Sequence, residues 1–260
     1  MDNDHDAYNP AQIAALVESA GVAKSRMPLG QVLVLAILAG AFIGFGAAAY
    51  LVVMTGADPG FGPQRLLGGV VFSLGLILVI VGGAELFTGN ALMIMAAVDR
   101  KITASALLRN WGVVFFGNFA GAAGLAVAFW ISGLMDGPIG ETAIKVAVAK
   151  SGGSIVPWLV KGALCNALVC LAVWLSFSAR DTTGKILAIL WPISAFVLLG
   201  LEHSIANMFF LPLGWLAGAD LQVWDAVNNL IWVTLGNIAG GAGGVALAYR
   251  YAYLGGKRGN

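Results

Sequence analysis

Residues 201–210 read LEHSIANMFF and residues 84–90 read AELFTGN, and each stretch interrupts a long apolar run, at 186–216 and 66–98 respectively. About 20 apolar residues suffice to cross a bilayer, so both runs are too long for one simple helix. In each interruption a glutamate precedes an asparagine by five positions: Glu85 and Asn90 in the first, Glu202 and Asn207 in the second. Breaking a helix at membrane depth frees backbone N–H and C=O groups, which is tolerated only against protein or a water-filled cavity. The two stretches are therefore predicted to line a pathway.

The rest of the chain agrees with that setting. Its 260 residues are 59% hydrophobic and only 10% charged, with a mean hydropathy of +0.87, whereas soluble domains carry about 25% charged residues. An all-α integral membrane protein is predicted. The net charge of +1 and the lack of a basic patch leave no nucleic-acid signature. The opening MDNDHDAYNP is polar and acidic and does not read as a signal peptide. Residues 9–25 follow, with Ile13, Leu16, Val17 and Ala20 at helical spacing, and predict a short amphipathic surface helix.

Six apolar runs lie at about 30–54, 66–98, 106–134, 155–177, 186–216 and 227–254, separated by charged or turn-rich stretches such as MDGPIGETAIK (135–145). Basic residues favour the cytoplasmic side. One side holds Lys24, Arg26, Arg100, Lys101, Arg109, Arg180, Lys185, Arg250, Lys257 and Arg258; the other holds only Arg65, Lys145, Lys150 and Lys161. Both termini are thus expected in the cytoplasm, with the chain in the cell's inner (plasma) membrane. GNFAGAAG (117–124) and GNIAGGAG (236–243) agree at six of eight positions, with glycines that suit close helix packing. Each half holds three runs, an odd number, so two inverted three-helix repeats are predicted, 30–134 and 155–254, within a single transport domain of 1–260. Inverted repeats with broken helices in matching places point to a site near the midplane.

His203 is the one histidine inside any run, since His5 lies in the N-terminal tail. A charged side chain at the centre of a span costs about 2.5–3.5 kcal/mol on insertion scales. Imidazole, with a reference pKa of about 6.5, avoids most of this by staying neutral. Glu85 and Glu202 are expected to cap freed amides at the breaks. Cys165 and Cys170 are read as core thiols; a metal site lacks ligands, and one membrane histidine excludes a bis-histidine haem. Ser204 beside His203 is no catalytic dyad, because neighbours on a helix point apart. No enzyme, cofactor or metal is predicted.

AELFTGN, NWGVVFFGNFAGA (110–122), KGALCNALVCLAVW (161–174), GLEHSIANMFFLPLG (200–214) and NPAQIAALVESAGVAKS (9–25) together resemble the formate/nitrite transporter family of microbial membrane channels. The resemblance spans nearly the whole chain. It implies a homopentamer of aquaporin-like six-helix protomers with spans two and five broken, passing small monovalent anions and protons across the bilayer. The anion is formate first, with nitrite or hydrosulfide as the alternative within the family. It implies a pathway with His203 at the centre, Thr88 in the loop, Asn166, and Lys150 at the outer mouth, joined by Glu202 and Asn207. It also implies constrictions at Phe72, Leu76, Leu86 and Phe196.

Overall fold

The computed structural model describes residues 7–58 and 60–255, and every regular element among them is helical. His5, Lys257 and Arg258 lie outside the described residues. Helix α1 (Pro10–Arg26) begins with a capping box. The Asn9 side chain accepts from the Gln12 amide, and the Gln12 side chain accepts from the Asn9 amide. Pro10 stands in the first turn, where a missing N–H leaves no bond unmade. Next come α2 (Leu29–Met54), α3 (Gly62–Phe72) running through Ser73 into α4 (Leu74–Gly82), a 3-10 turn (Gly89–Met93), α5 (Ile94–Val98) and α6 (Ala104–Ile131).

The order then recurs. Helix α7 (Pro138–Ser151) stands before α8 (Ile155–Ser178) as α1 stands before α2; α9 (Thr182–Leu198) breaks before α10 (Ser204–Leu216). Helix α11 (Val223–Ile238) continues as a π-helical stretch (Ala239–Leu247) into α12 (Ala248–Leu254). The expected runs match these elements within a few residues, with one unforeseen helix. MDGPIGETAIK opens α7, with Pro138 in the first turn and Ala143 and Ala147 facing inward.

Among the described residues, five helical stretches are long and apolar enough to cross a membrane: Leu29–Met54, Gly62–Gly82, Ala104–Ile131, Ile155–Ser178 and Val223–Leu254. The run at 186–216 falls short because its break leaves helices of 17 and 13 residues. Helix α2 packs along α6, α3 and α4, while α8 packs along α11, the π stretch and α9. The short pieces after the breaks cross over: α10 lies on α6, and the 3-10 turn lies on the π stretch and α1. Small residues set these close approaches. Gly121 backs onto the Ile37 carbonyl, and Gly240 onto that of Ala163. Large apolar side chains also face outward, among them Phe116 and Ile131 at 71% and 72% exposure, as expected of a surface facing lipid or further protein.

Candidate pathway between two cavities

Both breaks are made the same way. Gly83 (φ 81°) follows directly on α4 and Gly200 (φ 67°) stands two residues beyond the end of α9, both in left-handed conformations that cost glycine little. The next amide reaches back five residues, Ala84 to the Val79 carbonyl at 2.8 Å and Leu201 to that of Phe196 at 3.0 Å, which satisfies a carbonyl at each helix end. Asparagines then tie the freed backbone down. The Asn118 amide donates to the carbonyls of Ala36 (2.7 Å) and Glu85 (2.9 Å), and its oxygen accepts from the Phe87 N–H (2.9 Å). Asn237 repeats this with Gly162 (2.8 Å), Glu202 (3.0 Å) and the Ser204 N–H (2.9 Å).

The sequence reading gives the capping of freed amides to Glu85 and Glu202; the structure gives it to Asn118 and Asn237. The GNxAG motifs therefore carry more than helix packing. The two carboxylates instead bind side chains. Glu85 accepts from Lys24 and from Asn90, each at 2.7 Å, and Asn90 also donates to Asn110 at 2.9 Å. Glu202 accepts from Lys150 at 3.0 Å and Asn207 at 2.7 Å, and Asn207 also donates to Asn229 at 2.7 Å. Each lysine comes from the last turn of the helix that precedes its half, α1 or α7, where a cation also suits the helix dipole. A buried carboxylate stripped of its partner costs about 3–5 kcal/mol, so these pairs hold the breaks in place. Lys24, Asn110 and Asn229 are absent from the expected site. The signal was present: Asn110 precedes Asn118 by eight positions, as Asn229 precedes Asn237.

Leu86 follows Glu85 as His203 follows Glu202, so the two breaks differ chemically at this position. His203 caps α10: its Nδ1 accepts from the Ala206 N–H at 3.2 Å. An imidazole that accepts at Nδ1 carries its proton on Nε2. Nε2 lies 2.9 Å from the Thr88 hydroxyl oxygen, so Nε2–H donates and the threonine keeps its own proton for another acceptor. Thr88 is fully buried. Its carbonyl accepts from Asn166 Nδ2 at 3.2 Å, and Asn166 donates also to the Asn237 carbonyl at 2.7 Å. Asn166 and Asn207 thus stand behind the loops they support.

Two cavities approach this pair. One, of about 560 Å³, is lined by Lys24, Glu85 and Asn90, with Leu76 and Leu86 in its wall. The other, of about 630 Å³, is lined by Lys150, Glu202 and His203, with Phe72 and Phe196 in its wall. Leu35 lines the first and Met54 the second. These are residues of one helix, about 28 Å apart along its axis at 1.5 Å per residue. The cavities therefore open at opposite ends of the bundle. The Phe72 and Phe196 rings meet edge-on at 5.5 Å, and Phe196 stacks on the His203 ring at 5.9 Å. The four expected constrictions fall in two pairs, one per cavity, with Thr88 buried in the wall between.

A model of the family described as "Formate/nitrite transporter" matches residues 11–251. The chain is 38% identical over 276 residues to the Escherichia coli (strain K12) protein described as "Formate channel FocA", with 97% of each chain covered. Among solved structures, one described as "FNT family ion channel" superposes with a TM-score of 0.85 at 32% identity, over 93% of this chain and 98% of that one. Another, described as "Pentameric formate channel with formate bound", gives 0.77 at 38% identity, over 87% and 98%. The chain belongs to the formate/nitrite transporter family.

Proposed function

We propose that each protomer passes small monovalent anions, formate first, between the two cavities, and that passage is linked to a proton through Thr88 and His203. The observation that carries this reading is the buried Thr88–His203 hydrogen bond in the wall between cavities that open at opposite ends of the molecule. A bare carboxylate loses its hydration at an apolar constriction, a cost far above that of moving the neutral acid. In this reading the Thr88 proton, left free by the Nε2–H bond, is offered to an anion oxygen. Full proton transfer to the anion would leave an imidazolate unless Nδ1 receives a proton, so in this mechanism the Ala206 cap bond opens as the proton arrives.

The six-span reading, with inverted repeats at 30–134 and 155–254, draws support from the paired networks at the two breaks and from the helix order. In it the α1 side is cytoplasmic, with both termini there, and the cavity holding Lys150 opens outward. The membrane is the cell's inner membrane, with α1 at its surface. Assembly as a homopentamer follows the formate-bound relative, and the outward-facing apolar side chains of α6 suit contact with copies or lipid. Nitrite and hydrosulfide are the other candidates, and the experiment separates them. Purified protein in liposomes should pass formate faster than nitrite, acetate or hydrosulfide under equal gradients, with proton uptake alongside. Flux no greater than that of empty liposomes for all four would overturn the proposal.

A further inference from the structure

We infer that the cavity on the Lys150 side is also a binding site for a small multivalent oxyanion, such as a tricarboxylate, that occupies the mouth and cannot pass. The charge census carries the inference. Of the 14 lysines and arginines in the chain, the four assigned to this side of the bundle, Arg65, Lys145, Lys150 and Lys161, all line this one cavity. Among the described residues the only carboxylate lining it is Glu202, which leaves four cations against one anion, a net charge of +3. Glu202 is already paired with Lys150. Arg65, Lys145 and Lys161 make no ion pair among the described residues. The acids of the nearby loops and helix starts, Asp58, Asp136, Glu141, Asp220 and Asp225, are absent from the lining.

Three elements bring these cations together: Arg65 from α3, Lys145 and Lys150 from α7, and Lys161 from α8. Arg65 reaches the break from the α3 side. Its guanidinium nitrogen would lie 2.8 Å from a β-carbon added at Gly200, so its head rests on the second break, two residues from Glu202. A glycine at 200 leaves that space to the guanidinium. One monovalent anion neutralises one such charge; an anion carrying three carboxylates neutralises the set. Guanidinium binds carboxylate through two parallel N–H bonds, and the lysines add mobile point charges. A cationic recess with apolar walls concentrates its field on such a ligand. The cavity, about 630 Å³, has room for a molecule of this size. Phe72 and Phe196 in its wall oppose deeper entry of a fully charged trianion, which stays hydrated or salt-bridged at the mouth.

The predicted effect on transport rests on the functional reading above; binding does not. The test therefore has two arms, both at constant ionic strength and with citrate as the probe. Calorimetry on the detergent-solubilised oligomer should show saturable citrate binding at about one per protomer. Affinity should fall at least tenfold in R65Q/K145Q/K161Q and by a smaller factor in K145Q/K161Q, which leaves Arg65 at the break. Formate flux into phosphatidylcholine vesicles should be inhibited by citrate only from the Lys150 side. The triple variant should lose this inhibition and retain formate flux at high salt. Absence of saturable binding, or binding unchanged in both variants, would overturn the site. So would inhibition no greater than that of chloride at equal ionic strength. Absent formate flux with intact, variant-sensitive citrate binding would sink the transport reading and leave the site standing.

Discussion

His203 and Thr88 stand 115 positions apart in the chain and 2.9 Å apart in the fold. The histidine was legible in the sequence as the one imidazole in an apolar run. Thr88 was legible as a polar group of the AELFTGN break, but not which partner its hydroxyl would take, because nothing in two separate apolar runs states which residues will meet. Thr88→Val keeps the shape and removes the hydroxyl. Anion flux should fall sharply, while stability drops by about 1–3 kcal/mol, the cost of leaving the buried His203 Nε2–H without its acceptor. Flux equal to wild type would leave Thr88 a packing residue. Asn118 has the opposite profile. Asn118→Leu preserves volume but strands the Glu85 carbonyl and the Phe87 N–H, each costing about 1–3 kcal/mol. The expected outcome is a lower Tm and loss of assembled protein on size exclusion; a wild-type Tm would show that the break does not depend on this clamp.

At the scale of elements, apolar runs found the membrane-length helices to within a few residues, since length and hydropathy are enough to define them. They missed α7, whose inward face is made of small residues, Gly140, Ala143 and Ala147, behind an Asp-Gly-Pro start. GNFAGAAG and GNIAGGAG agree at six of eight positions, yet the first is α-helical throughout and the second passes into a π-helical stretch. That difference was not readable from residue types. Helix α7 matters because it delivers Lys150, expected at the mouth and found both lining the cavity and paired with Glu202. Its ammonium also lies 5.5 Å from the Phe210 ring centroid. Lys150→Ala removes part of a field that draws anions inward, and such a field is screened over about 10 Å at 0.1 M salt. Flux per folded oligomer should drop mainly at low ionic strength, alongside a lower Tm because Glu202 loses its cation. An unchanged flux across a salt series would show that the lysine serves only its ion pair.

The described residues present a broad apolar exterior and, at opposite ends, two cavities that carry charged side chains on largely apolar walls, with Thr88 and His203 buried between them. If the exterior is covered by copies of the chain, light scattering on the detergent-solubilised, transport-active particle should give five protomer masses; an active monomer would contradict this. Orientation and oligomer number were accessible to the sequence only through charge bias and resemblance, because neither is fixed by contacts within one chain. The central claim, proton-linked passage at the wall, rests on an ionisable ring at position 203. Asparagine is a good helix N-cap, so His203→Asn can keep the cap on α10 while removing the titratable group. Formate flux in liposomes from about pH 5 to 8, spanning the reference histidine pKa, decides the matter. The variant is expected to assemble as wild type does and to lose the wild-type pH dependence; flux identical to wild type at every pH would contradict the mechanism.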